Sequence, residues 1–226
     1  MKPDVLIVGA QTENQLVIAE RGVLWARLVT RGRAAHAGAA PSGDNAILRM
    51  MRVIGAIEAR LAPAIRERRD GTLQSMMNIG RIEGGTNANV VPDYCEAMID
   101  RRLLPQERVD AAFAELLEVT LGAGEPTGTV ALERVTGTNG FRARADGNAV
   151  NAFTEAIRTV TGRPARFLDV VGVFDGRYFA DDGIEIIDFG PGEGSEGHAP
   201  NESVPLAQVA EAAVIQRALL KRLLSA

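Results

Sequence analysis

The chain has 226 residues and 46% hydrophobic content, enough for one large or two small globular domains with real cores. Its 25 Lys and Arg intersperse with 29 Asp and Glu for a net charge of −4, and aromatics are only 4%, so no basic stripe or base-stacking platform points to nucleic acid or to an anionic membrane. The single Cys95 excludes an internal disulfide, no leader-like stretch precedes residue 20, and no apolar run approaches the roughly 20 residues of a membrane span, so the expected compartment is the cytoplasm.

Val5-Leu6-Ile7-Val8, bounded by Gly9, is a continuous apolar run that reads as a strand buried on both faces, with the expectation that further elements normally precede it. From Val23 to Thr30 the chain is β-rich, and Arg27 and Arg31 share one partly wet face. A small-residue loop containing His36 runs from Gly32 to Gly43. Ile47, Met50, Met51, Ile54, Ile57 and Leu61 then fall at helical spacing, with Pro63 disturbing the pattern near its end and a charged tail from Arg66 to Asp70 closed by Gly71. Strands are predicted over 73–82 and 94–103, a helix from near Pro105 to Gly122, and a further strand over 129–135. The order βαββαβ is the ferredoxin-like signature.

Beyond Gly137 helices and strands alternate: a helix over 148–161, a strand over 166–171, a short helix over 177–182, a buried strand over 184–189 and an amphipathic helix over 206–224 with Val209, Ala213, Leu219, Leu220 and Leu223 turned to a core. Short apolar strands between helices predict a parallel α/β sheet. The expected organisation is therefore a partial α/β domain made of residues 1–20 and 137–226, with a ferredoxin-like domain, residues 21–136, inserted in it.

The stretch from Ile187 to Glu202 carries His198, one of two histidines, on a Gly/Pro loop after an apolar strand and before a long helix, where α/β folds place ligands and metals. The plainer alternative is a solvated loop histidine. Gly190-Pro191-Gly192-Glu193-Gly194 is not a phosphate loop, since no Lys-Ser/Thr follows it. Two histidines and one cysteine furnish few nitrogen or sulfur ligands, so a rich metal site would need carboxylates or another chain.

Three groups of segments, taken together and in order, carry a resemblance: Gly32-Arg33-Ala34-Ala35-His36-Ala37-Gly38 with Asn45-Ala46-Ile47; Asn89-Val90-Val91-Pro92-Asp93 with Asp100-Arg101-Arg102-Leu103-Leu104-Pro105; and Asp175-Gly176-Arg177 with Gly190-Pro191-Gly192 and His198-Ala199-Pro200-Asn201-Glu202. They resemble the dizinc aminoacylase and carboxypeptidase G family of metallohydrolases, which includes acetylornithine deacetylase and succinyl-diaminopimelate desuccinylase. The resemblance implies a zinc-exopeptidase-like α/β catalytic domain, here partial, with the ferredoxin-like insert as lid and homodimerisation domain. It also implies two zinc ions whose bound hydroxide attacks the amide of a small-molecule substrate with a free carboxylate, and a glutamate as general base. His198 matches the last zinc ligand, His36 the lid histidine that polarises the substrate carbonyl across the dimer, Asn89 a lid residue near the same oxyanion, and Arg177 an arginine that pairs with the substrate carboxylate. The plainer alternatives are a loop-capping histidine, a turn asparagine and a surface arginine.

The departures concern metal chemistry. The His-x-Asp pair, the bridging aspartate and the paired glutamates of the family have no counterpart here, and where the family places a metal-binding acid after the first strand the chain reads Gly9-Ala10-Gln11-Thr12, with Glu13 three residues beyond Ala10. Val173-Phe174 also replace smaller residues before Asp175. The chain is accordingly either a shortened member of the family that is inactive alone, or an enzyme completed by a separate polypeptide, or a non-catalytic dimerisation or small-molecule-binding module.

Overall fold

The computed structural model describes residues 3–170, 172–197 and 200–224. Two compact units divide the chain, one of residues 1–21 and 139–226, the other of residues 22–138. In chain order the elements are β1 (Val5–Gly9), β2 (Ala19–Glu20), β3 (Gly22–Arg31), β4 (Ala35–His36), α1 (Ala46–Arg60), α2 (Ala62–Glu67), β5 (Arg69–Asp70), β6 (Leu73–Gln74), β7 (Met76–Gly84), β8 (Val90–Val91), β9 (Tyr94–Leu103), α3 (Val109–Leu121), β10 (Val130–Thr138), β11 (Phe141–Arg142), α4 (Asn148–Thr161), β12 (Glu185–Phe189) and α5 (Leu206–Leu224). Short 3-10 turns lie at Ala37–Ser42, Asp175–Phe179 and Gly194–Glu196.

Residues 22–138 form a four-stranded antiparallel sheet in the order β10-β3-β9-β7, the ferredoxin-like arrangement, with α1 and α3 on one face. The period of two explains the sheet's sidedness. In β9, Cys95, Ala97, Ile99, Arg101 and Leu103 are buried while the residues between them are not, and in β3 Trp25, Arg27 and Arg31 face outward. The Asn45 side chain accepts from the Leu48 N–H at 3.1 Å and so starts α1, whose Met50, Val53 and Ile57 pack on Ala26, Leu28 and Ile99. Pro63 marks the break in the helical run as expected, with α1 ending at Arg60 and α2 starting at Ala62. It sits in the first turn of α2, where the missing N–H has no intrahelical partner to lose. The charged stretch 66–70 is not a tail: it ends α2 and enters a β5–β6 hairpin turning at Gly71, whose φ is +63°.

α3 starts at Val109 rather than near Pro105, because residues 104–107 are occupied by a buried charge cluster. The Leu104 N–H donates to Glu107 Oε2 at 2.8 Å. Arg101, fully buried, donates Nη1 to the Ala112 carbonyl at 3.0 Å and places Nη2 at 3.1 Å from Glu107 and 2.9 Å from Glu115, while Arg68 contacts the same two acids at 2.8 and 3.0 Å. Burial alone would raise the Glu107 carboxyl, but the Leu104 N–H, Arg68 and Arg101 hold it below the ordinary carboxylate range.

In the other unit, β1 pairs parallel with β12 and β2 pairs antiparallel with β11. α4 and α5 pack against them around Leu16, Val150, Phe153, Ile187, Phe189, Ile215 and Leu219, with the Phe153 and Phe189 rings 4.7 Å apart. Four expectations are corrected here. β1 is half-buried, not buried on both faces, because its sheet has two strands and β12 is its one neighbour. Residues 166–170 form no strand. Their pairing is confined to Leu16, which bonds the Arg166 carbonyl and the Leu168 N–H, and Phe167 is exposed; Val171 lies outside the described residues. The face that α5 buries is Ala212, Ile215 and Leu219, whereas Val209, Ala213 and Leu220 are exposed on an adjacent stripe. The short helix expected over 177–182 is the 3-10 turn Asp175–Phe179. Among the described residues no helix is long and apolar enough to cross a membrane.

The cluster around Arg101 gives a direct test. Glu107→Ala leaves the fully buried guanidinium short of a partner, and the loss on urea unfolding is expected to be about 3–5 kcal/mol, against less than about 1 kcal/mol for removing the exposed pair partner Glu58.

Candidate functional site

Parallel strands β1 and β12 end together, and the segments leaving their carboxyl ends meet. The Thr12 and Asn14 N–H groups donate to the Gly190 carbonyl at 3.2 and 2.8 Å, the Gly190 N–H donates to the Thr12 hydroxyl at 3.1 Å, and the Glu13 N–H donates to the Gly192 carbonyl at 2.9 Å. Gly190 is required by this contact, since a Cβ there would lie 2.4 Å from the Ala10 carbonyl oxygen. Glu13 and Asn14 both take left-handed backbone conformations, φ +52° and +57°, a strained pair of the kind that persists only when its surroundings enforce it. Beside this junction opens a cleft of about 1030 Å³ lined by Gln11, Leu168, Phe174, Pro191, Ser195 and Gln216 among others. Gln11 donates its side-chain amide to Glu202 in the expected motif. His198 lies outside the described residues.

Phe174, at the cleft wall, leads into the turn that carries Arg177. This guanidinium donates Nη1 to the Phe174 carbonyl and Nη2 to the Tyr178 hydroxyl at 3.1 Å, and lies 4.5 Å from the centre of the Tyr178 ring. Arg177 is partly exposed and is held by its own turn, with further N–H donors of its fork uncommitted by these contacts. Under the same turn lie two acids that sequence reasoning overlooked, Glu20 and Asp188, both fully buried. Burial first, and then the charge of Asp188, pushes the Glu20 carboxyl up to about 9, and burial pushes Asp188 up to about 7. The available signal was an acid closing an apolar run: Glu20 after Val17-Ile18-Ala19, and Asp188 after Ile186-Ile187.

The unit of residues 22–138 brings together His36 and Asn89. β4 pairs antiparallel with β8, His36 opposite Val90, and the Ala37 N–H donates to the Asn89 carbonyl at 2.9 Å, so both predicted residues stand at one end of a two-residue ladder. Both are exposed. The Gly38 N–H donates to His36 Nδ1 at 3.0 Å. That bond requires an unprotonated Nδ1, so the neutral ring carries its proton on Nε2, at the outward tip, where it is a donor.

Comparison with known proteins agrees with this architecture. Residues 18–123 match the peptidase dimerisation domain of the M20 family. The chain is 30% identical over 224 residues to a putative succinyl-diaminopimelate desuccinylase of Mycobacterium tuberculosis, covering 97% of this chain and 59% of that one. The chain is similar to M20 proteins, through the dimerisation domain over just under half of its length and through such relatives over nearly all of it. An acetylornithine deacetylase of Myxococcus xanthus is 29% identical over 220 residues, 94% of this chain and 56% of the relative. The crystal structure of an aminopeptidase from Bacillus cereus superimposes with a TM-score of 0.76 at 25% identity, over 94% of this chain and 55% of that one. The chain thus spans a little over half the length of these M20 relatives.

M20 proteins are metal-dependent peptidases and deacylases, and the donor chemistry of this chain can be set against that. Ala10, just after β1, has no ligating side-chain atom, and the Gln11 amide is engaged by Glu202. Among the described residues no three His, Cys, Asp or Glu side chains are grouped so as to hold a metal. Two zinc ions each want about four ligands, and the described donors do not fit such a centre. Elemental analysis of the purified, desalted chain is expected to find well under one tightly bound zinc per chain; two per chain would show that the described donors are not the relevant ones.

Proposed function

We propose that this chain forms the carbonyl-polarising and carboxylate-binding part of an amide hydrolase acting on N-acyl amino acids or small peptides with a free carboxylate, and that it is inactive on its own. Arg177 pairs with the substrate carboxylate through its planar fork, and in a homodimer His36, with Asn89 beside it, reaches across to the partner subunit's substrate and donates its Nε2–H to the oxygen of the amide carbonyl. The Gly38 N–H bond to His36 Nδ1 carries the assignment, because it holds the ring in the one neutral tautomer that can donate outward. The deacylase and desuccinylase relatives support the substrate class. His198 is assigned as the last metal ligand of a two-zinc site whose other donors are not among the described residues. Ala10 favours a second function, a non-catalytic dimerisation or small-molecule-binding module that uses the same Arg177. In either case the protein acts in the cytoplasm on a small molecule, and not on nucleic acid or membranes.

The substrate contact is testable without turnover. In an NMR titration with N-acetyl amino acids, Arg177→Lys is expected to weaken binding by about tenfold or more, and capping the carboxylate as an amide is expected to weaken the unmodified chain equally. Equal binding of the acid and its amide would remove the assignment. Hydrolysis of the same probes by the zinc-supplemented chain is expected to be undetectable, and measurable turnover would overturn the proposed inactivity.

Association is expected through residues 22–138. β7 is an edge strand of its sheet, and Met76 and Ile82 on it are half exposed, at 50% each. An antiparallel edge of this kind pairs with its twin across a two-fold axis. Sedimentation is expected to show a homodimer at micromolar concentration, and a strict monomer would exclude the lid-to-lid arrangement.

A further inference from the structure

Glu20 and Asp188 have no task in the function proposed above, yet they both touch the start of the turn that carries Arg177. Glu20 Oε1 accepts the Phe174 N–H, which precedes the turn. Gly176, inside the turn, is buried against the other acid: a Cβ on it would lie 2.9 Å from Ile186 Cγ2, 3.0 Å from Phe141 Cε1 and 3.1 Å from Asp188 Oδ1. Arg177 then donates back to the Phe174 carbonyl. The turn is thus seated directly on the two carboxyl groups.

Neither acid is supplied with the partners that two buried charges require. Both residues are 0% exposed. Both oxygens of Asp188, and Oε2 of Glu20, have no hydrogen-bond partner among the described residues. The charged groups facing Glu20 are Asp188 and Asp175, which oppose its ionisation, and Arg177, which favours it. Two ionised carboxylates held this way, with one guanidinium committed to its own turn, are strongly disfavoured, whereas a proton retained on either one leaves a single charge.

We propose that Glu20 and Asp188 retain a proton on at least one carboxyl and are positioning residues for Arg177, seating its turn while the proton is bound and releasing it when both acids ionise. The functional meaning rests on the assignment of Arg177 to the substrate carboxylate; the release itself does not. The sign follows from linkage. Both acids hold protons more tightly when folded than at their ordinary values of 4.5 and 3.8, so their contribution to the seated turn is complete below those values. It is lost as pH rises through about 7 and about 9.

The test is amide hydrogen exchange on the full chain between about pH 6 and about pH 9.5, corrected for the intrinsic pH dependence of exchange. Protection of amides 174–180 is expected to fall about tenfold or more across that range, while the buried α1 amides of Met50 to Ile57 hold theirs. Glu20→Gln, which mimics the protonated carboxyl, and Asp188→Asn, which removes the second charge, are each expected to keep the turn protected throughout. Proton-independent protection in the unmodified chain overturns the proposal, as does a Glu20→Gln or Asp188→Asn variant that loses protection in step with it. Should one variant fail to fold, the other and the unmodified chain decide. Because no substrate is present, a failed carboxylate-binding assay leaves this result unaffected, and the two proposals fall separately.

Discussion

The five-residue parallel ladder from Val5 opposite Glu185 to Gly9 opposite Phe189 is the contact on which the first unit depends. Parallel pairing demands a long crossover, and here the crossover contains an entire second folding unit before the chain returns through α4. Loop-closure entropy grows only slowly with length, so a crossover of this size is tolerated provided the inserted segment folds on itself. The ladder also does the geometric work of the site. By ending two strands together it brings the turn at residues 10–14 onto Gly190 and Gly192, opening the neighbouring cleft.

The two units handle buried charge in opposite ways. Around Arg101 the acids are ionised and matched by two guanidinium groups and a backbone N–H, so removing a proton acceptor is damaging. Beneath the Arg177 turn the acids are short of cations and are relieved by retaining protons. Protonating Glu107 is therefore expected to weaken the Arg101 cluster, and ionising Glu20 and Asp188 to weaken the Arg177 turn. Arg101 of the Asp100-Arg101-Arg102 motif serves the interior of the sheet unit.

Most of the ferredoxin-like unit is legible because each of its elements has one wet and one dry face, which writes periods of two and about 3.6 directly into β3, β9 and α1. The other unit is less legible, since continuous apolar runs announce burial without saying how many neighbours supply it. Val5-Leu6-Ile7-Val8 acquires one neighbour instead of two, and Phe167-Leu168 acquires a single bridge to Leu16. His36 and Asn89 could be singled out from their segments, but their adjacency depends on a two-residue β4–β8 ladder too short to leave any period. Glu20 and Asp188 escaped because each looks like the polar end of a strand, and only the fold brings both under one turn.

Cys95 has a practical consequence for work on this two-unit molecule. It lies in β9 opposite Gly84, so close that a Cβ on that glycine would fall 2.7 Å from Sγ, and it is 1% exposed with its thiol raised by burial. The chain contains no second cysteine, and none occurs in residues 1–21 or 139–226. A thiol reagent therefore meets a single target that it reaches only when the sheet unit opens. Its labelling rate is a built-in clock for that unit alone, blind to whatever the α/β unit is doing.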